Sequence, residues 1–178
     1  MANYVSAPIE YSFKNPNSIN LKNLDVNFDM SSKTLINRGL NILVEISTAS
    51  SSIDIKSPIP QPLNKIQVYA QFDTGANRTS IDIKLATYLN LVSLGTSELI
   101  TAGGKYNFPN FIVDFQLIET ELNPFIDLDV NSCDLSFNLA KNLKRPSIDN
   151  FGVLIGRDIM SKWHITWNGP TSTVIISD

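Results

Sequence analysis

The sequence predicts an all-β fold, a barrel or sandwich with one or two short helices. Short runs alternate apolar and polar residues, clusters of Gly, Pro, Asn and Ser separate them, and helical spacing is confined to brief stretches. The 178 residues, 43% apolar and 17% charged, suit one domain that builds its core without disulfide or metal staples. This composition lies away from that of disordered chains.

Residues 1–38 are polar and rich in Asn and Ser, with one alternating stretch, Leu24-Asp25-Val26-Asn27-Phe28, that suits an edge strand. They read as an N-terminal extension, an arm or a pro-segment, before a single domain over residues 39–178. Asn41 to Thr48 and Ile66 to Phe72 read as paired strands, joined by a loop that Pro58, Pro60 and Pro62 stiffen. A helix follows, with Asp82 accepting from first-turn N–H groups, Leu85, Ala86 and Leu89 on one face, and Asn90 as a left-handed end closed by Leu91.

Leu99 to Thr101 and Phe108 to Leu117 form a second expected hairpin across Ala102-Gly103-Gly104-Lys105, with Pro109 on an edge. Phe125 to Val130 alternates again. Leu135, Leu139 and Leu143, spaced four apart, suggest an amphipathic helix over Asp134 to Lys144 that stops before Pro146. Phe151 to Gly156 has a buried-strand pattern, and a helical turn is expected at Arg157 to Lys162. His164 to Trp167 and Thr173 to Ile176 close the chain as a hairpin across Asn168-Gly169-Pro170.

Composition narrows the chemistry. A net charge of -3 and a pI near 5.1 have the wrong sign for a nucleic-acid surface. One cysteine, Cys133, and one histidine, His164, are too few for an internal disulfide or a Cys/His zinc site, so no metal and no cofactor are expected. His164 lies in a strand-like run without a nucleophile motif, and no phosphate-cradling glycine loop is present. No basic leader or apolar span is evident, so a cytoplasmic protein without membrane contact is expected.

Carboxylate chemistry remains. Phe72-Asp73-Thr74-Gly75-Ala76 puts an acid at the end of an apolar strand, where burial is costly unless N–H groups or a partner compensate it. A strand ending in an Asx-type turn has the same signature. The wider segment, Phe72 through Asp82 with the following Leu85, Ala86, Leu89 and Leu91, resembles the active-site region of retropepsin-like aspartic proteases. Val153-Leu154-Ile155-Gly156-Arg157-Asp158-Ile159-Met160 is similar to the second half of that family's signature, and a glycine-containing hairpin lies between. The resemblance covers residues 41–178 and is nearest to the small cellular and bacterial members.

The resemblance implies a retropepsin-like acid protease barrel working as a homodimer. Asp73 becomes the catalytic aspartate; Thr74 bonds the partner's loop; Gly75 and Ala76 line the site; and Gly156 lets the loop pass close to its neighbour. Ala102, Gly103 and Gly104 form a flap tip, while Asn77 and Arg78 border the substrate, a peptide bound in extended form. Arg157 and Asp158 serve the dimer or the scaffold. Asn77 stands where the viral members carry an acid, so Arg157 lacks its familiar partner; Asp82 and Asp149 are the candidate substitutes.

The chemistry requires two carboxylates sharing a proton, since adjacent carboxylates do not both ionise cheaply, as is established for the aspartic-protease pair. One Asp-Thr-Gly per chain therefore implies two chains, each bringing Asp73 to a twofold axis. The expected function is an aspartic endopeptidase that activates water by general acid-base catalysis. The alternative is a catalytically inactive dimerisation or peptide-binding module on the same fold.

Overall fold

The computed structural model describes residues 4–8, 39–50, 64–101, 103–118, 120–168 and 173–178. Its strands are β1 (Tyr4–Pro8), β2 (Asn41–Thr48), β3 (Lys65–Phe72), β4 (Ser80–Asp82), β5 (Gly95–Thr101), β6 (Gly104–Leu117), β7 (Phe125–Cys133), β8 (Val153–Ile155), β9 (His164–Asn168) and β10 (Thr173–Ser177). The helices are α1 (Ile83–Tyr88), α2 (Leu139–Lys144) and α3 (Arg157–Met160). The prolines of the first loop, Leu24 to Phe28, Ala102 and the Gly169-Pro170 turn lie outside the described residues.

Alternation in β2 and β3 sends Val44, Ile46, Val68 and Ala70 inward, and all are buried. The two strands pair antiparallel, Asn41 opposite Gln71 through Ser47 opposite Lys65. The sheet continues in the order β2-β3-β8-β4-β7-β6, and β6 returns to pair with β2, so six strands close a barrel. Closure removes the edges an open sheet would expose. Ile81, Val113, Phe115, Val130, Val153 and Ile155 complete the buried interior. The mostly-β expectation with few short helices holds.

Strand β5 stands outside the ring as the partner of β6 in a long hairpin, Thr101 facing Gly104. Pro109 pairs only towards β5, because the β6–β7 ladder begins at Asn110; its missing N–H therefore interrupts no second ladder. A separate sheet in the order β1-β10-β9 joins the two ends of the chain, Tyr4 opposite Ser177 and Thr173 opposite Asn168.

Six residues do not make a stable isolated helix, so α1 depends on its caps and its buried face. The Asp82 carboxylate accepts from the Lys84 N–H at 2.8 Å. At the other end Asn90 has φ of 54°, the Asn90 N–H reaches Thr87 O at 3.1 Å and the Leu91 N–H reaches Ala86 O at 3.0 Å. That is the paired C-terminal cap of a Schellman motif. Leu85, Ala86 and Leu89 are buried as expected.

Two local expectations need correction. Strand β4 is absent from the sequence reading, which runs the Asp73 loop straight into the helix; it is three residues long and exists by pairing with β7 and β8. The helix expected over Asp134 to Lys144 begins only at Leu139, capped by the Asn138 side chain. Asp82 accepts from the Leu135 and Phe137 N–H groups, Ser136 has a positive φ, and Leu143 is exposed while Asn142 is buried. The Asn138 N–H, which a helix from Asp134 would direct to the Asp134 carbonyl, goes instead to Asn150 Oδ1 at 2.8 Å.

Candidate active site at the Asp73 loop

Phe72 ends β3 against Trp163, ring centroids 6.2 Å apart, and Trp163 meets Phe125 at 5.5 Å. This aromatic contact ties the end of β3 to the segment after α3. The Asp73 N–H then donates to Ile155 O at 3.0 Å, so the acid emerges between β3 and β8. Its Oδ1 accepts from the Gly75 N–H at 2.8 Å, and its carbonyl accepts from the Ala76 N–H at 3.1 Å. The Asx-type turn is therefore real, but it uses one carboxylate oxygen. Oδ2 has no hydrogen bond among the described residues, and Asp73 is half-exposed, with Thr74 and Gly75 exposed beside it.

The second motif grips this loop from below. The Arg157 N–H donates to Ala76 O at 3.0 Å and the Asp158 N–H to Asn77 O at 3.3 Å. Asp158 accepts from the Thr79 N–H and the Thr79 hydroxyl, each at 2.8 Å, and from the Ile159 N–H at 2.8 Å. Thr79 Oγ1 in turn accepts from the Gly156 N–H at 3.1 Å. A Cβ on Gly156 would stand 2.4 Å from the Arg78 carbonyl carbon and 2.7 Å from the Thr79 nitrogen, closer than non-bonded atoms approach. Glycine is required there by contact rather than by conformation.

Arg157 has a partner after all: its guanidinium donates to the Asn77 side-chain carbonyl. Asp82, a candidate substitute, is fully buried and its oxygens accept from Lys84, Leu135 and Phe137. Arg78 leans away to β7, where it pairs with the Asp129 carboxylate and carbonyl. Gly103 and Gly104 sit exposed at the β5–β6 turn, Gly104 with φ of 125°, and the Tyr106 hydroxyl donates to Gly103 O at 2.8 Å.

Sequence reasoning missed Thr79, the residue through which both motifs are bolted together. The available signal was a hydroxyl-bearing residue in the loop and an acid after the Gly-Arg pair. It also missed the brace from Tyr106 to the hairpin turn. Cys133 is no competing nucleophile: burial, then the nearby Asp82 and Asp134 charges, push its thiol up to about 11. His164 lies exposed on β9. Among the described residues, no three His, Cys, Asp or Glu side chains gather as a metal site, and no helix is long and apolar enough to cross a membrane.

No protein-family model and no curated protein sequence matches this chain. Among solved structures, the chain is similar to the crystal structure of a retropepsin-like aspartic protease from Rickettsia conorii, with a TM-score of 0.39 and 12% identity over 77% of this chain and 91% of that one.

Proposed function

We propose that this chain is a retropepsin-like aspartic endopeptidase that acts as a homodimer, each protomer contributing one Asp73. The observation that carries the reading is the interlock of two motifs far apart in sequence. Gly156, Arg157 and Asp158 hold the Asp73 loop through Ala76, Asn77 and Thr79, leaving one oxygen of an exposed-side aspartate without a partner among the described residues. A rigid loop presenting a half-used carboxylate suits general acid-base work, where geometry decides first.

One Asp73 takes a proton from water while the other, protonated, polarises the scissile carbonyl; the tetrahedral gem-diol collapses as the amide nitrogen gains a proton. The apparent pKa values belong to the pair, so the pH profile reports both protomers jointly. An extended peptide binds under the β5–β6 hairpin, whose turn at Gly103 and Gly104 serves as the flap. Residues 39–178 form the protease domain. Residues 1–38 are an arm or a removable pro-segment, and the pairing of β1 with β10 favours the arm.

The test is incubation with a denatured protein mixture from pH 4 to pH 7 beside Asp73→Asn, together with sedimentation of the active sample. Cleavage that survives the substitution, or activity from a monomer, overturns the reading. An intact dimer that cleaves nothing favours a peptide-binding module instead.

A further inference from the structure

Strand β7 carries an amide that nothing among the described residues satisfies. Asn131 is completely buried, and neither its Nδ2 nor its Oδ1 has a hydrogen-bond partner. Opposite it on β6 stands Asn110, whose Nδ2 donates to Ser97 Oγ at 2.6 Å and whose Oδ1 is likewise unsatisfied. On its other side Asn131 is in register with Ser80 of β4. Buried polar groups are nearly always paired, so three orphaned atoms in one place call for a cause.

Alternation supplies the geometry. Ile81, Phe111 and Val130 point into the barrel core, so their neighbours Ser80, Asn110 and Asn131 share the opposite face of the sheet. Residues directly opposed across strands lie with Cβ atoms about 5 Å apart, close enough for the two amides to address one group. This row adjoins the Asp73 loop, because the Asn131 N–H donates to Thr79 O at 3.2 Å. Asp129 lies on the same face of β7 as Asn131, and Arg78 reaches over to it. The side chains of that pair are 34% and 49% exposed, so water weakens the attraction between them.

We infer that Asn131, Asn110 and Ser80 floor a substrate subsite for the carboxamide side chain of Gln or Asn, with the Arg78–Asp129 pair as its rim. The inference rests on the peptide cleft of the proposed function. The orphaned set is two acceptors, Asn110 Oδ1 and Asn131 Oδ1, and one donor group, Asn131 Nδ2. A carboxamide gives its NH2 to the acceptors and takes the donor on its oxygen. A carboxylate brings only acceptors against two carbonyl oxygens. An ammonium leaves Nδ2 unpaired, and an aliphatic chain leaves all three groups unpaired.

The test measures binding by fluorescence anisotropy, using full-length Asp73→Asn protein to prevent turnover and decapeptide pools in which one position at a time is fixed as Gln, Asn, Leu, Glu or Lys. One position should favour Gln or Asn over Leu by about tenfold or more, the scale of one to two net hydrogen bonds. Asn131→Leu should reverse that order at the same position. Asn131→Asp, which keeps the shape and exchanges the donor for an acceptor, should move the preference to Lys and guards against a Leu variant that does not fold.

Absence of binding by every pool, absence of amide preference, or a preference that Asn131→Asp leaves in place overturns the subsite. An Asn131→Leu protein that is more stable with unchanged selectivity overturns it too and marks the amide as an enclosed core group. Cleavage by the unsubstituted protein is scored separately. Cleavage without amide preference removes the subsite and keeps the protease, whereas amide-selective binding without cleavage does the reverse.

Discussion

Asp73 follows β3 and Asp82 ends β4, strands consecutive in the chain and separated by β8 in the barrel, and the fold uses the two acids in opposite ways. Asp82 is fully buried, and its two oxygens accept from three backbone N–H groups, those of Lys84, Leu135 and Phe137. Asp73 is half-exposed and, among the described residues, its carboxylate accepts from one, that of Gly75. A carboxylate surrounded by fixed donors is a structural anion, whose burial is offset by charge-assisted bonds. A carboxylate with an oxygen left over, on a loop that other residues hold rigid, is available for chemistry. Residue type does not separate the two; the donor count does.

The comparison breaks most visibly at Asp73. Asp73→Asn should lower peptide cleavage by about a thousandfold, within the range of positioned acid-base groups, while urea stability changes by less than about 0.5 kcal/mol, as for a substitution outside the core. Asp82→Ala should do the reverse and cost about 3 kcal/mol in urea unfolding at fixed protein concentration, since three backbone N–H groups around a fully buried carboxylate lose their acceptor. Equal stability loss in both variants would erase the distinction.

Gly156→Ala sharpens the reason Asp73 is held rigid. Its Cβ would fall on Arg78 backbone, and a backbone neighbour yields only by shifting the loop, so a loss of about 2 kcal/mol is expected. Cleavage should fall by more than the unfolded fraction explains. Thermal melts paired with activity at a temperature where the variant is folded check this, and full activity in a folded variant would show the loop position to be immaterial.

The smallest effect lies beside Asp82. The Cys133 thiol is held neutral, pushed up to about 11 by burial and then by Asp82 and Asp134. Above the unfolded thiol's ordinary value the unfolded chain loses a proton that the folded one keeps, so stability falls as pH rises from about 9 towards 11. Cys133→Ser should flatten that part of the pH-stability curve, and the native thiol should resist thiol reagents at pH 8. Rapid labelling of the folded protein would contradict the assignment.

Much of the fold was legible because its cues are local. The Asp82 cap, the Asn90 turn and the alternation of β2, β3 and β6 each act within a few residues, and the structure retains them. The failures share one cause. The segment from Asp134 has helical spacing, yet the Asn138 N–H that would close its first helical turn goes to Asn150 Oδ1. Strand β4 is too short to announce itself and exists through its neighbours. The two site motifs were readable separately, but the Thr79 hydroxyl that joins them has meaning only beside Asp158.

The sequence alone determined the mostly-β class, the candidate acid at Asp73, and the positions of Gly75 beside it and Gly156 in the second motif. Strand period, turn chemistry and glycine's missing Cβ are properties of adjacent residues and survive any packing. Only the tertiary structure decided that β6 closes on β2, that Arg157 bonds Asn77, and that Asp82 is structural while Asp73 keeps a free side. Hydrogen bonds saturate, and which donors reach a carboxylate depends on segments brought together by burial of the shared core.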